Sequence, residues 1–354
     1  MSSPQATPQA AAAGDASHAA GSLGHYTALV CRVLSDDLSG VAIEDLPRRP
    51  LAPDEIRVRM RATGLGFPDL LMTRGLYQVK PPLPYVPGME SCAEIIEVGA
   101  QSGAPWPCGQ RVIVSGKEGG LAHERIVRRS QLRPVPEGLT DEQAAAVSSQ
   151  GVTAYVSLVR RGDLQRGETL LVHGASGGVG LAAVRLGAHL GARVIATASS
   201  ASKLAVARDN GAHELIDLSV VGADGLRDRV HELTGGKGVD LVFDPVGGDL
   251  FDASIRCLTW GGRLVVVGFA SGRIPTVAAN QILIRGISVI GVRAGEYGRR
   301  NPVLGAENIA AVDRLAQEGV LLPHISLRLP LARALEGFRL LAARQSVGRI
   351  VVTP

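Results

Sequence analysis

The residues best placed to do chemistry lie in Leu170-Leu171-Val172-His173-Gly174-Ala175-Ser176-Gly177-Gly178-Val179-Gly180-Leu181. An apolar run of strand character enters a glycine cluster, and the cluster opens into an apolar, alanine-rich stretch of helical character. A helix N-terminus offers free backbone N–H groups and a partial positive charge. Glycine lets a pyrophosphate approach that backbone closely. A strand–turn–helix that holds a dinucleotide is expected, although Gly174-x-x-Gly177-x-x-Gly180 departs from the Gly-x-Gly-x-x-Gly spacing. An NAD site places an Asp or Glu about 20 residues past the glycines, to accept from the ribose 2′-OH. Between Gly180 and Asp209 there is none. The corresponding stretch reads Ser199-Ser200-Ala201-Ser202-Lys203, whose hydroxyls and ammonium suit a 2′-phosphate. NADPH is therefore expected over NADH, with Ser200 and Lys203 beside its adenosine phosphate.

A metal centre is not expected. Zinc needs several Cys, His or carboxylate ligands at one point. The histidines are scattered, and none of Cys31, Cys92, Cys108 and Cys257 stands in a Cys-x-x-Cys pair. His173 ends a core strand and reads as packed; His123 alone lies in a loop that could face a cleft. Hydride transfer would then rest on positioning and hydrogen bonds.

The elements that must position these groups fall into two patterns. Residues 1–24 are Ala, Ser, Pro, Gln and Gly with almost no large apolar side chains, and read as a disordered tail. The absence of Lys and Arg there argues against a secretory or mitochondrial leader. From His25 to about Val147 the signals are of β type, with strands at Tyr26–Val33, Glu55–Ala62, Glu90–Val98, Arg111–Ser115, Ala122–Val127 and Leu132–Val135. Thr140 and Gln143 form a capping box that opens a helix. From Thr169, strands (Thr169–His173, Arg193–Ala198, Glu214–Ile216, Val239–Phe243, Arg263–Phe269, Ile287–Val292) alternate with helices (Val179–Leu190, Ser200–Asn210, Gly225–Leu233, Asp249–Cys257). Nearly all-apolar strands such as Leu264-Val265-Val266-Val267 belong in a parallel sheet covered on both faces. An α/β fold with a doubly wound sheet follows. A helix near 308–318 comes next, and then short strands with a helix at Leu331–Ala343 rejoin the first domain. The expected division is 25–147 with 323–354 for the β-rich domain and 148–322 for the inserted nucleotide domain.

Bulk properties narrow the class. No apolar run reaches the roughly 18–20 residues of a membrane span. The formal charge is only +4 and the basic residues are dispersed, which gives no nucleic-acid footprint. The cysteine pattern is that of a reducing cytoplasm.

Several stretches together carry a resemblance: Gly66-Phe67-Pro68-Asp69, Gly75-Leu76-Tyr77, Pro87-Gly88-Met89-Glu90, Gly151-Val152-Thr153-Ala154-Tyr155, the glycine turn, Asp244-Pro245-Val246-Gly247-Gly248, Val267-Gly268-Phe269-Ala270-Ser271-Gly272 and Gly348-Arg349-Ile350-Val351-Val352. Over about Tyr26–Val352 the chain resembles the zinc-independent quinone oxidoreductases, the ζ-crystallin-like enzymes of the medium-chain dehydrogenase/reductase superfamily. The resemblance implies a GroES-like catalytic domain with an inserted NADPH-binding Rossmann domain, commonly in a homodimer. It implies reduction of quinones or other α,β-unsaturated carbonyls. Zinc-containing relatives have a Gly-His-Glu motif where this chain reads Gly88-Met89-Glu90. By position, Ser176, Gly177, Gly178 and Val179 match pyrophosphate ligands. Ser200, Lys203 and Arg344 match groups around the 2′-phosphate. Thr153, Val246, Gly268 and Phe269 match residues lining the ribose and nicotinamide. Gly66, Phe67, Leu71 and Tyr77 match the acceptor pocket, with Tyr77 the candidate donor to the substrate oxygen. Asp69 reads as a local hydrogen-bonding group. This chain departs from its relatives at Gly66, where they usually have Asn, and at Leu71 and Leu218, where some have Tyr. A larger, less polar pocket follows. An enoyl-thioester (CoA or carrier-protein) reductase and an NADPH-binding protein without turnover are the alternative readings.

Overall fold

The computed structural model describes residues 24–354. The tail expected over residues 1–24 thus lies, Gly24 apart, outside the described residues. The first strands are β1 (His25–Cys31), β2 (Val41–Pro47), β3 (Glu55–Leu65), β4 (Glu90–Val98), β5 (Arg111–Ser115), β6 (Glu124–Arg128) and β7 (Leu132–Pro134), with helix α1 (Phe67–Thr73) after β3. β4 and β5 have the bounds their alternation predicts. β2 and α1 escape the sequence pattern for different reasons. β2 carries Glu44-Asp45 on a largely exposed strand that pairs only with β1. α1 is a seven-residue helix with proline in its first turn.

Helices α2 (Asp141–Ala144) and α3 (Val147–Tyr155) lead into the second pattern. The capping box forms as expected: the Gln143 N–H donates to Thr140 Oγ1 (3.2 Å), and Gln143 Oε1 accepts from the Thr140 N–H (2.9 Å). α3 continues as a wider π-type turn over Val156–Arg161. Then come β8 (Thr169–Val172), α4 (Gly178–His189), β9 (Arg193–Ala198), α5 (Ala201–Asp209), β10 (Glu214–Asp217), α6 (Leu218–Val221), α7 (Leu226–Leu233), β11 (Val239–Asp244), α8 (Gly248–Ser254), β12 (Leu258–Val266), α9 (Ala279–Arg285), β13 (Ser288–Gly291), α10 (Ala294–Arg300) and α11 (Pro302–Gln317). β14 (Ile325–Pro330), α12 (Ala334–Ala342) and β15 (Arg349–Thr353) come last.

One sheet is wholly parallel, in the order β10-β9-β8-β11-β12-β13, which is the doubly wound arrangement. The other runs β14-β15-β3-β4-β5-β7, with β6 also pairing β3. The last two strands therefore lie in the first sheet, where β15 is antiparallel to β3. β12 ends earlier than expected. Val267 and Gly268 leave the sheet because their N–H groups turn back onto the Asp244 carbonyl (2.8 and 3.4 Å). α8 likewise stops at Ser254, short of Cys257.

A single apolar cluster joins the two halves. It runs from Cys92 and Ile113 through Val147 and Val156 to Val172 and Phe243, all fully buried. Each such side chain contributes about 1.5–3 kcal/mol relative to exposure, so the cleft has a rigid base. Among the described residues no helix is long and apolar enough to cross a membrane.

Candidate active site

The glycine turn sits where the strand order reverses, between β8 and β11, at the carboxyl ends of the strands. Open α/β sheets bind ligands there. Gly174 has φ +56°, which favours glycine. A Cβ on Gly180 would stand 2.1 Å from the Gly174 carbonyl oxygen, so the turn closes only with glycine at that position. Gly177 is the N-cap of the twelve-residue α4 and brings no side-chain cap. A Cβ at Gly177 would meet nothing nearer than 3.5 Å. No side chain of the turn therefore caps the N-terminal amides of α4.

The turn is pinned to the other half of the chain. The Gly348 N–H donates to the Ser176 carbonyl (2.7 Å), and Gly177 pairs with Gly348 as an isolated bridge. Directly beneath lies Arg349, 7% exposed. A Cβ on Gly178 would fall 2.7 Å from Arg349 Cδ and 2.8 Å from Gln150 Oε1. Arg349 Nε and Gln150 Oε1 are both buried without a partner among the described residues. An enclosed donor of positive charge beside uncovered helix amides fits a pyrophosphate-bearing group, so the residues present suit a dinucleotide.

The same arginine reaches the candidate acceptor side. A Cβ on Gly66 would lie 3.5 Å from Arg349 Nη1. Glu90, 4% exposed, stands 3.9 Å from Arg349 Nη2. Its carboxylate accepts from the Ser148 (2.5 Å) and Ser149 (3.1 Å) N–H groups at the start of α3. Asp69, 2% exposed, accepts from the Gly66 N–H (2.9 Å) and the Gly88 N–H (3.2 Å). Burial pushes its carboxyl up to about 6, against the pull of the Gly66 N–H, the Arg349 charge and the Gly88 N–H. Asp69 therefore shapes the backbone around Gly66 and Gly88, as its sequence context implies. Arg349, Glu90 and Gln150 escaped the sequence reading. One signal was available: Arg349 is a charge set at the head of an otherwise apolar strand, Ile350-Val351-Val352.

The remaining expected residues distribute as follows. Ser200 is the N-cap of α5, its Oγ accepting from the Lys203 N–H (3.4 Å). The Lys203 ammonium donates to the Arg344 carbonyl (2.8 Å) and to Ser199 Oγ (3.2 Å). Arg344 has φ +56° and donates to the Ser271 carbonyl (3.0 Å). Two cations and a row of serines thus share one exposed corner. Val246 packs on Gly174, and Phe269 on Gly247. The Val246 and Gly247 N–H groups both bond to the buried Asp244 (2.8 Å each). The Gly268 backbone passes close to the Pro245 carbonyl. Val179 is half-buried in the first turn of α4. The Thr153 hydroxyl is turned onto the Ser149 carbonyl one helical turn back (2.7 Å).

Leu71 and Tyr77 are half-buried in one curled segment, in which the Leu76 N–H donates to the Leu71 carbonyl (2.8 Å). Phe67 and Tyr77 both pack on the cluster around Leu70, Met72 and Tyr85. Burial raises the Tyr77 phenol pKa; the charge of Arg293 opposes this and that of Asp69 adds to it. The phenol therefore stays protonated at neutral pH. It makes no hydrogen bond to a described residue.

His173 is fully buried between Thr197 Oγ1 (2.9 Å) and Ser254 Oγ (2.6 Å), and burial lowers its pKa. It is a core residue. His123 is half-buried in a bend just before β6, where its N–H donates to the Thr27 carbonyl and its own carbonyl accepts from the Met60 N–H (2.9 Å each). Among the described residues no group of three or more His, Cys, Asp or Glu side chains converges to hold a metal ion.

Comparison with known proteins agrees with this layout. Residues 52–137 match the alcohol dehydrogenase GroES-like domain family, and residues 178–314 match the zinc-binding dehydrogenase family. The quinone oxidoreductase-like protein 2 homolog of Nematostella vectensis is 36% identical over 330 residues, spanning 92% of this chain and 88% of its own. The quinone oxidoreductase of Pseudomonas aeruginosa is 36% identical over 318 residues, covering 87% and 93%. The Escherichia coli quinone oxidoreductase solved in complex with NADPH superposes with a TM-score of 0.83 at 28% identity, over 93% of this chain and all of that one. The chain belongs to the zinc-independent, quinone-oxidoreductase-like branch of the medium-chain dehydrogenase/reductase superfamily.

Proposed function

We propose that this chain is an NADPH-dependent, metal-free reductase of quinones or other α,β-unsaturated carbonyl compounds. The observation that carries the reading is the junction at Arg349, where the glycine turn and the Gly66 backbone meet over one buried guanidinium. The NADPH-bound relative of the same fold supports the choice of cofactor. When bound, NADPH supplies hydride to the electron-poor carbon of the acceptor.

The chain's own residues do the rest. Ser176, Gly177, Gly178 and Val179 hold the pyrophosphate on the amides of α4, with Arg349 below. Ser200, Lys203 and Arg344 surround the 2′-phosphate, where a carboxylate would be repelled. Thr153, Val246, Gly268 and Phe269 orient the ribose and nicotinamide. Gly66, Phe67, Leu71 and Tyr77 form the acceptor pocket. The Tyr77 hydroxyl donates to the carbonyl oxygen as negative charge develops there. The division into 25–147 with 323–354 and 148–322 belongs to the same reading. So do a cytoplasmic site of action and the absence of nucleic-acid partners.

A homodimer is part of the proposal. β13 is an edge of the parallel sheet, and Trp260, Leu283 and Ile284 beside it are 77%, 79% and 72% exposed. An open strand edge next to large apolar side chains favours pairing with a second copy.

The test is cofactor consumption with NADPH and NADH over quinones, enals, enones and enoyl thioesters. NADPH oxidation with at least one of these acceptors is expected. A clear NADH preference, or no consumption with any acceptor, overturns the reading.

A further inference from the structure

β13 ends beside β12, and the chain beyond each strand faces the same rim of the sheet. The segment after β12 carries Gly268 and Phe269; the segment after β13 carries Val292 and Arg293. The two are laced together by the Val292 N–H on the Val266 carbonyl (2.9 Å). α10 follows at once and packs on α3, the helix that bears Thr153, with Ala294 and Tyr297 against the core. A cavity of about 210 Å³ opens at this point. Its floor is apolar, with Val156, Val292 and Tyr297; its wall is basic, with Arg161, Arg293 and Arg300 against the single carboxylate Glu296. Glu296 is already engaged, accepting from Arg299 (2.5 Å) and Arg300 (2.9 Å). Arg161 and Arg293 make no ion pair or side-chain hydrogen bond with a described residue. Both are exposed and the charge of Arg293 also acts on Glu296, so the three arginines and one carboxylate leave the cavity with a net positive charge. Tyr77, from the acceptor half, lies within reach of the fields of Arg293 and Arg299.

We propose that Arg293 and Arg161 form an anion-anchoring subsite, so that the preferred acceptors carry a carboxylate or phosphate group on the side remote from the reacting double bond. This rests on the reductase reading above and narrows its substrate class. A neutral quinone or enone leaves the two guanidinium groups facing water. An acceptor with anionic oxygens pairs with them, and their field also gathers such acceptors toward the cleft. The volume suits one carboxylate or one phosphate, with the remainder of a larger acceptor lying in solvent.

Two pairs test this, each setting an anionic acceptor against a neutral one with the same reacting double bond: acetylacrylate against its methyl ester, and crotonyl-CoA against the crotonyl thioester of N-acetylcysteamine. The full chain with NADPH is assayed at low and high salt, as wild type and as Arg293→Ala and Arg161→Ala. The charged member of at least one pair is expected to show kcat/KM about tenfold above its neutral partner at low salt. That ratio falls toward one in high salt and in Arg293→Ala. The pair that shows the ratio identifies the anion as a carboxylate or as nucleotide phosphate. Turnover of all four acceptors with ratios near one, unmoved by salt or by either variant, overturns this proposal and leaves the reductase reading standing. No turnover of any of the four, or of any quinone, overturns both.

Discussion

Replacing Arg349 with methionine tests the buried junction at the base of the cleft. In the wild type, burial lifts the Asp69 carboxyl from 3.8 to about 6 even with Arg349 nearby. A gap of that size means that keeping Asp69 ionised costs about 3 kcal/mol of stability. The sign follows from the raised value. The group's favourable contribution is complete below the unfolded pKa of 3.8 and is lost as pH rises through about 6. Removing the guanidinium takes away a charge that holds the carboxyl down, and about 1.4 kcal/mol of lost attraction moves the pKa up by roughly one unit. Protonated Asp69 cannot accept from both the Gly66 and Gly88 N–H groups with the same strength. Weakening one buried N–H bond is worth about 1–3 kcal/mol, or about five- to 150-fold in kcat/KM. The assay is the pH profile of kcat/KM for NADPH oxidation at saturating acceptor. The wild type should lose activity on the acid side near the Asp69 value of about 6. Arg349→Met should move that limb up by about one unit and raise KM for NADPH. Arg349→Lys, which keeps the charge, should restore most of the limb. Glu90 would be left with only the Ser148 and Ser149 N–H groups. Uncoupling a buried pair costs about 3–5 kcal/mol, and the 3.9 Å separation places this one at the low end. A folded Arg349→Met protein with an unmoved acid limb would refute the coupling.

Other outcomes follow from the same geometry. Lys203→Ala with Arg344→Ala should lower the NADPH-to-NADH ratio of kcat/KM by about ten- to a hundredfold, as two charge-assisted contacts to a phosphate are lost; parallel steady-state assays measure it. Gly66→Asn should fold with at most a small loss of stability, since the backbone has φ −121° and a Cβ there needs Pro68 Cδ, at 3.3 Å, to give only slightly. It should raise turnover of benzoquinone by returning a polar group to the pocket, which thermal melts and kinetics together would report. Leu283→Glu with Ile284→Glu should shift the protein from dimer to monomer on size-exclusion chromatography with light scattering, because the exposed apolar side chains beside β13 become charged.

The nucleotide half was the more legible part of the sequence. β9 has the expected bounds, and α5 begins one residue past the expected start, with Ser200 as its N-cap. Both rest on local signals, an apolar run and an N-capping serine. The glycine turn was readable for the same reason, since Gly174 and Gly180 meet within a single turn. The junction beneath it was not. Asp69, Glu90, Gln150 and Arg349 come from α1, β4, α3 and β15, and no local pattern announces that a strand returning from the end of the chain will set an arginine between them. The Arg293 subsite was hidden too, because it depends on β13 ending beside β12. β2 and α1 were missed because exposed acidic residues and a proline mask their periodicity.

The central claim is metal-free reduction by NADPH at a site where the glycine turn meets the acceptor half. The most direct measurement uses protein dialysed against a chelator, mixed with NADPH and an enone in the chelator's presence. Cofactor loss is followed by absorbance and the product by mass spectrometry. The account predicts one saturated ketone formed per NADPH consumed, with no gain on adding zinc and a much slower reaction with NADH. Activity that disappears with the chelator and returns with zinc, or NADPH loss without a reduced product, would contradict it.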